Sequence, residues 1–496
     1  MKLKKITTNK TRTNTIIYSI MKRLFLSCIL SINLAVYGQS QIGGNIDGEA
    51  DFDFSGWSVS MPDASTVAIG AISNDGNGDG SGHTRIYEWD GSAWLQKGAD
   101  IDGEVSGDES GRSVTMPDPN TVAIGARLNK DNGFRAGHTR IYKWDGSSWV
   151  QKGNDIDGMQ FEDSGWAVDM PDPNTVAIGA PTANGINDNF DTGRVRIYMW
   201  DGNTWLQKGV DIIGESSFDG SGYSVSMPDS NVVAIGARGD DDNGDEAGHV
   251  RIYEWDGNAW TQKGMDIDGE ASGDFSGRAV SMPDASTVAI GAISNDGNGD
   301  GSGHTRIYEW NGSAWIQKGQ DIDGKYEGDA SGFSVSMANS DVVAFGAPGY
   351  REISDATDQV RIYIWNGNGW IQLGTDIDGD AVDVNFGHAV SMPNINTVAI
   401  GATGANIIAG YVQVYNLSSL NIDNNKIKNS VDIYPNPTLG KINVQMDDTQ
   451  SDKLEIKLSN IKGQVVFRQT RDFLTNFSLD VNGSSGIYFL EIKTDD

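Results

Sequence analysis

The chain has 496 residues, with 63 glycines, 14 tryptophans, 12 prolines and one cysteine, and its 68 acidic against 37 basic side chains give a formal net charge of −31. Glycine- and aspartate-punctuated apolar runs of four to six residues, with no helical spacing, predict an all-β protein of more than one domain. So acidic a surface repels nucleic-acid phosphate and leaves two readings open: attraction for cations or basic partners, or a solvated face that keeps an exported protein soluble.

In chain order, residues 1–38 hold seven Lys or Arg and no acid, and an apolar stretch runs from Leu24 to Val36. A charged segment ahead of an apolar one too short to span a bilayer reads as a secretory signal peptide, with Met21 a second candidate start. Cys28, the one cysteine, leaves with it, so the exported chain has no disulfide and depends on its core and on any ions it holds. A lipid anchor on Cys28 is disfavoured by the four residues separating it from Arg23, and no later segment is predicted to cross a membrane as a helix.

From residue 39 to 417 the chain repeats itself. "VAIGA" begins at Val67, Val122, Val176, Val233, Val288 and Val398, and "VAFGA" at Val343, spaced 55, 54, 57, 55, 55 and 55 residues apart. Each unit reads "SGWSVSMPD", "TVAIGA", a polar acidic loop, "HTRIYEWDG" and "WLQKGADIDG", which predicts four strands and a propeller blade. "VAIGA" has the small, unalternating composition of a strand covered on both faces, whereas "TRIYEW" alternates. The turn in "WDGSAW" brings Trp89 and Trp94 across a hairpin. The seventh unit stops at Leu417, one strand short, while Ser40–Gly48 aligns with Leu95–Gly103; the N-terminal strand is therefore expected to complete the last of seven blades. Val59–Trp89 is identical to Val280–Trp310, as duplication of blade-sized units would leave it.

In a four-stranded meander the loop between strands two and three lies on the same face as the crossover into the next blade, and both are acidic here. On that face stand the triplets Asp75, Asn77, Asp79; Asp296, Asn298, Asp300; and the looser Asp241, Asn243, Asp245. Oxygen ligands two apart in a glycine-rich loop can converge on calcium. No acid closes the loop at its twelfth position, which is Ile86, so Asp102 or Glu104 from the crossover would have to complete the shell. The competing reading is a polar turn, since Asp, Asn and Gly also favour turns.

His83, His138, His249 and His304 recur at one strand start and read as blade-building residues, not ligands of one metal; His388 stands alone. Arg85, Arg140, Arg196, Arg251, Arg306 and Arg361 recur likewise and read as structural. Arg238-Gly239-Asp240 is an unspecific triplet. There is no nucleophile elbow, phosphate loop or zinc signature, and no unique cluster of His, Tyr or Arg is legible.

"SGWSVSM", "VAIGA" and "RIYEW", with Phe386-Gly387 and the Gly-Ala-Pro at Gly179–Pro181 and Gly346–Pro348, resemble divergent FG-GAP repeats of the integrin α-subunit propeller. The resemblance implies an extracellular binding or adhesion module. Its calcium loop does not carry over, because in that family the aspartate-rich loop precedes the Gly-Ala-Pro strand and here the acidic loop follows it. Beyond a polar linker, 418–430, the segment 431–496 predicts a small β-sandwich. Tyr434-Pro-Asn-Pro437, Lys462-Gly463-Gln464 and Gly486-Ile-Tyr488 resemble the type A C-terminal sorting domain of the type IX secretion system. That resemblance implies export across the outer membrane by the secretion machinery, to the cell surface or the medium; the final "KTDD" departs from the basic end of many such tails.

The sequence thus predicts a secreted or surface-held seven-bladed propeller that binds an extracellular protein or glycan, with calcium as its cofactor and no catalytic role. The rival is a glycan-cleaving hydrolase or lyase on the same scaffold.

Overall fold

The computed structural model describes residues 38–420 except 186–189, 350–357, 382–383, 405–408 and 419, together with six strands between Asp432 and Thr494. The leader through residue 37, linker positions 419 and 421–430, residues 435–437 of the Tyr-Pro-Asn-Pro motif, Lys462–Gln464 and Gly486–Ile487 lie outside the described residues.

Residues 38–420 form one compact unit. Seven antiparallel sheets follow one another, each built as in the first blade: Ser55–Asp63 innermost, then Thr66–Ala71, His83–Trp89 and an outer strand. The outer strand departs from expectation. It comes in two pieces, Trp94–Gln96 and Ile101–Asp102, both paired with the third strand. Gln96 opposes Tyr87 and Ile101 opposes Thr84, so extra residues bulge out between them. Gly98 turns that bulge at φ +83°, and the Trp144 ring of the next blade lies where a Cβ would stand.

The ring closes as the alignment of Ser40–Gly48 predicts. Ser40 and Gln41 pair with Asn416 and Tyr415, and Ile46 and Asp47 pair with Val412 and Tyr411, supplying the outer strand of the seventh blade. In every blade the six residues of the "VAIGA" strand are buried. Its glycine has a steric cause. A Cβ on Gly70 would sit 2.1 Å from the carbonyl oxygen of Gly111 in the next blade, and the same approach recurs around the ring to Gly401 against Gly56. The core lies between blades: Ala68 and Ile86 of the first pack with Val114, Met116 and Ile124 of the second. At the rim, the Trp149 indole donates to the Lys97 carbonyl of the preceding blade, and the Lys97 ammonium lies 5.5 Å from the Trp144 ring.

The C-terminal strands form two three-stranded antiparallel sheets, one of Asp432–Tyr434, Lys441–Gln445 and Asn476–Asp480, the other of Lys453–Asn460, Val465–Asp472 and Tyr488–Thr494. Leu454, Ile456, Leu458 and Phe477 are buried.

Candidate binding site at the propeller axis

The acidic loops and crossovers meet on one face. The Asn77 amide donates to the carbonyls of Gly103 and Glu104, and the Gly107 amide donates to the Asp79 carbonyl. Asn243 and Asn298 repeat the contact at Gly269 and Gly324. Within the loops, Asp75, Asp241 and Asp296 each accept an amide hydrogen bond five residues on, from Gly80, Glu246 and Gly301. Asp75, Asn77 and Asp79 are exposed, as are Asp241, Asp245, Asp296 and Asp300. Asp102 does reach the loop: one of its carboxylate oxygens is buried without a partner and lies 2.7 Å from where a Cβ on Gly76 would stand.

Four of the recurring arginines hold backbone: Arg85, Arg140, Arg251 and Arg306 donate to the carbonyls of Asp47, Asp102, Ile213 and Asp268, whereas Arg196 binds the Glu162 and Asp211 carboxylates and Arg361 the Ser331 hydroxyl. Asp240 of the Arg-Gly-Asp triplet is buried beside His249, with Nδ1 and Oδ1 3.1 Å apart, so the triplet is not presented as a surface motif.

A cluster that repeat-matching overlooks is formed at the axis. Each blade contributes the residue after the Ser-Gly (Phe-Gly in the last blade) in or just before its innermost strand, and seven side chains from seven blades close a ring. The Arg112 guanidinium stands between Trp57 and Trp166, at 5.1 and 4.1 Å from the ring centres. Trp166 meets Tyr223 at 5.1 Å. Arg278 stands between Tyr223 and Phe333, at 5.0 and 4.0 Å. His388 completes the circuit, 4.9 Å from Phe333 and 4.4 Å from Trp57, with Nδ1 3.0 Å from the Trp57 carbonyl oxygen. The residue three before each member is held at positive φ, between 49° at Asp163 and 63° at Gly220, which turns the crossover inward.

This ring lines a cavity of about 230 Å³ with no Asp or Glu in its wall among the described residues. Among the described residues no ion pair joins Arg112 or Arg278 to a carboxylate, the nearby Glu109 being bound to Arg127, and the Arg112 Nε is buried without an acceptor. Arg127 and Arg238 flank it, stacked on Trp166 and Tyr223 at 4.8 and 4.3 Å. Burial lowers Arg112 to about 10, and burial together with Arg278 and Arg112 lowers His388 to about 3, so the imidazole is neutral. Burial alone would raise the Tyr223 phenol, but Arg278, Arg238 and Arg112 bring it below its ordinary value. An anion entering here meets half-buried guanidiniums and flat ring faces, in an otherwise acidic chain. The expectation that no His, Tyr and Arg cluster exists is therefore corrected. The signal was present as difference: "SGWSV", "SGRSV", "SGWAV", "SGYSV", "SGRAV", "SGFSV" and "FGHAV" vary most at the third position, whose side chains form the axial ring.

Residues 432–496 match the family described as the secretion system C-terminal sorting domain. That segment is a sorting domain. It marks the protein as exported by the type IX secretion system to the cell surface or extracellular space, as the C-terminal motifs implied. No curated protein matches the sequence. Among solved structures, the β-propeller domain of the Trilobed protease from Pyrococcus furiosus is similar at 12% identity and a TM-score of 0.43, covering 75% of this chain and 99% of that one. The acylaminoacyl peptidase of Pyrococcus horikoshii is similar at 11% identity and a TM-score of 0.41; 90% of this chain is covered and 65% of the peptidase. In this chain seven four-stranded blades and their closure carry the fold assignment.

Proposed function

We propose that this exported propeller is a binding module that takes an anionic glycan, carrying carboxylate or sulfate groups, into its axial mouth. The observation that carries this reading is the closed ring of aromatic and basic side chains with two guanidiniums that no ion pair joins to an acid among the described residues. Sugar faces stack on aromatic rings, and planar guanidiniums pair with carboxylate or sulfate in a two-pronged geometry. The likeness of the repeats to FG-GAP blades supports a surface binding or adhesion role; calcium at the Asp75, Asp241 and Asp296 triplets rests instead on their own alternating oxygen ligands in glycine-rich loops. A glycan array with the exported protein tests it. Binding to uronate-bearing or sulfated chains, absent for neutral homologues and weakened by salt, is expected; selection of neutral glycans or of none would overturn it.

The rival enzymatic reading has one observation in its favour. Tyr223, with its phenol lowered among arginines, could as phenolate take the C5 proton of a uronate whose carboxylate Arg112 or Arg278 neutralises; the C4–C5 double bond forms as the C4–O bond breaks, and the phenol returns that proton to the leaving oxygen, which is the chemistry of a lyase. Appearance of the unsaturated product's ultraviolet absorbance, lost in Tyr223→Phe with binding retained, would establish that reading.

A further inference from the structure

We propose that three blades each bind one divalent transition metal of zinc type between His83, Glu49 and Asp100; between His138, Glu104 and Asp155; and between His304, Glu270 and Asp321. In each trio the donor atoms lie within 4.8 Å of one another; Asp131 joins the second, and Glu215, His249 and Asp266 of the fourth blade are as close, although there His249 also meets Asp240. The histidines are almost wholly buried, at 1%, 0% and 1% exposure, and neither ring nitrogen of any of them has a hydrogen-bond partner. Their Nδ1 atoms point into the carboxylates, with His83 3.6 Å from Asp100 and 3.9 Å from Glu49, and His138 3.7 Å from Asp155 and 3.8 Å from Glu104. Donors about 2.0–2.2 Å from a tetrahedral zinc stand roughly 3.3–3.6 Å apart, so a small contraction completes the site.

The second oxygen of each acid is already engaged. Gln96 donates to Asp100 at 2.5 Å, and Gln151 and Gln317 do the same for Asp155 and Asp321, leaving the other oxygen to face the histidine. The far oxygen of each glutamate faces Arg85, Arg140 or Arg306 at 3.6, 3.8 and 3.5 Å. Such outer contacts aim ligands and keep them in place.

The remaining blades show what the site needs. In the third, Arg194 stands at the histidine position, 2.9 Å from Asp211 and 3.5 Å from Glu162. In the sixth, Gln359 replaces the histidine and Lys325 the glutamate, and the Lys325 ammonium lies 2.8 Å from Asp376. In the seventh, Asn45 replaces the aspartate, and Asn45 and Gln413 donate to the one remaining acid, Asp380. The third blade thus neutralises its acidic pair with Arg194, the sixth pairs its one acid with Lys325, and the seventh holds its one acid by two amides. In the fourth, Asp240 takes His249 instead. The first, second and fifth leave a buried histidine without a hydrogen-bond partner against its carboxylates, and there a bound cation does what Arg194 and Lys325 do elsewhere. These residues are distinct from the Asp-x-Asn-x-Asp triplets.

The full exported chain, stripped with chelator and dialysed against limiting zinc, tests this by metal analysis. Wild type should retain at least three zinc ions, each of His83→Gln, His138→Gln and His304→Gln should lose one, and the triple variant three. Glutamine is the residue the sixth blade carries, which favours retention of the fold. If the triple variant fails to fold, the paired change Lys325→Glu and Gln359→His should raise the count by one. Zinc content that is negligible in wild type, or unchanged by these substitutions, overturns the proposal.

Discussion

Replacing Gly291 by alanine tests whether the repeated "VAIGA" glycine is set by the approach of neighbouring blades. The backbone there has an ordinary strand conformation, so alanine is locally acceptable and would by itself contribute about 0.5–1 kcal/mol of stability. Its Cβ, however, would lie 2.0 Å from the Gly332 carbonyl oxygen and 2.8 Å from the carbonyl carbon. Both are backbone atoms of the next blade, so the interface has to open by roughly 1 Å, an overpacking that costs about 1–3 kcal/mol or more. The net loss is on the order of 1–2 kcal/mol. At about 2 cal/mol/K of unfolding entropy per residue, that lowers the melting point of a domain this large by roughly 1–3 °C. Calorimetry of Gly291→Ala beside Gly44→Ala, where no atom lies within 4 Å of the new methyl group, separates the two effects. Gly44→Ala should melt at or slightly above wild type. A Gly291→Ala protein as stable as wild type would refute the steric account of the repeat.

Four further outcomes follow. Ile46→Asp, which puts a charge at a buried position of the closing strand, should destabilise the ring by several kcal/mol and promote aggregation through the exposed edge of Tyr411–Asn416, read by calorimetry and light scattering. His388, about 3 in the fold against an ordinary 6.5, binds fewer protons folded than unfolded between those values. Stability should therefore fall as pH drops below about 6.5 and be unaffected by this group above it, and His388→Gln should make melting less acid-sensitive. Millimolar calcium should raise the melting point, and Asp75→Ala with Asp79→Ala should reduce the rise while His83→Gln does not; an unchanged melt would leave the triplets as turns. Deleting 432–496 should abolish appearance of the protein outside the outer membrane, assayed by fractionation.

What the sequence made legible follows from repetition. Seven "VAIGA" strands, the orphan strand at Ser40 and the pairing of loop with crossover were readable because a fold that repeats states each rule seven times. The axial ring was not readable by the same means. Trp57, Arg112 and His388 share no chemistry, and only the topology shows that their common register places them against one another. The break at Gly98 was equally hidden, since its cause is the Trp144 ring of a different blade. The histidines recur because they occupy one structural position, as their spacing suggested, but the carboxylates around them arrive from two segments, the crossover and the outer strand. Their absence of partners could be seen only in three dimensions.

The central claim is that Arg112 and Arg278 hold an anionic glycan on the axis, and titration calorimetry with a single acidic oligosaccharide tests it most directly. Wild type should bind, and Arg112→Gln with Arg278→Gln should weaken binding at least tenfold, with melting point little changed and the salt dependence of affinity reduced. Undiminished affinity in that double variant would contradict the account and move the binding surface away from the axis.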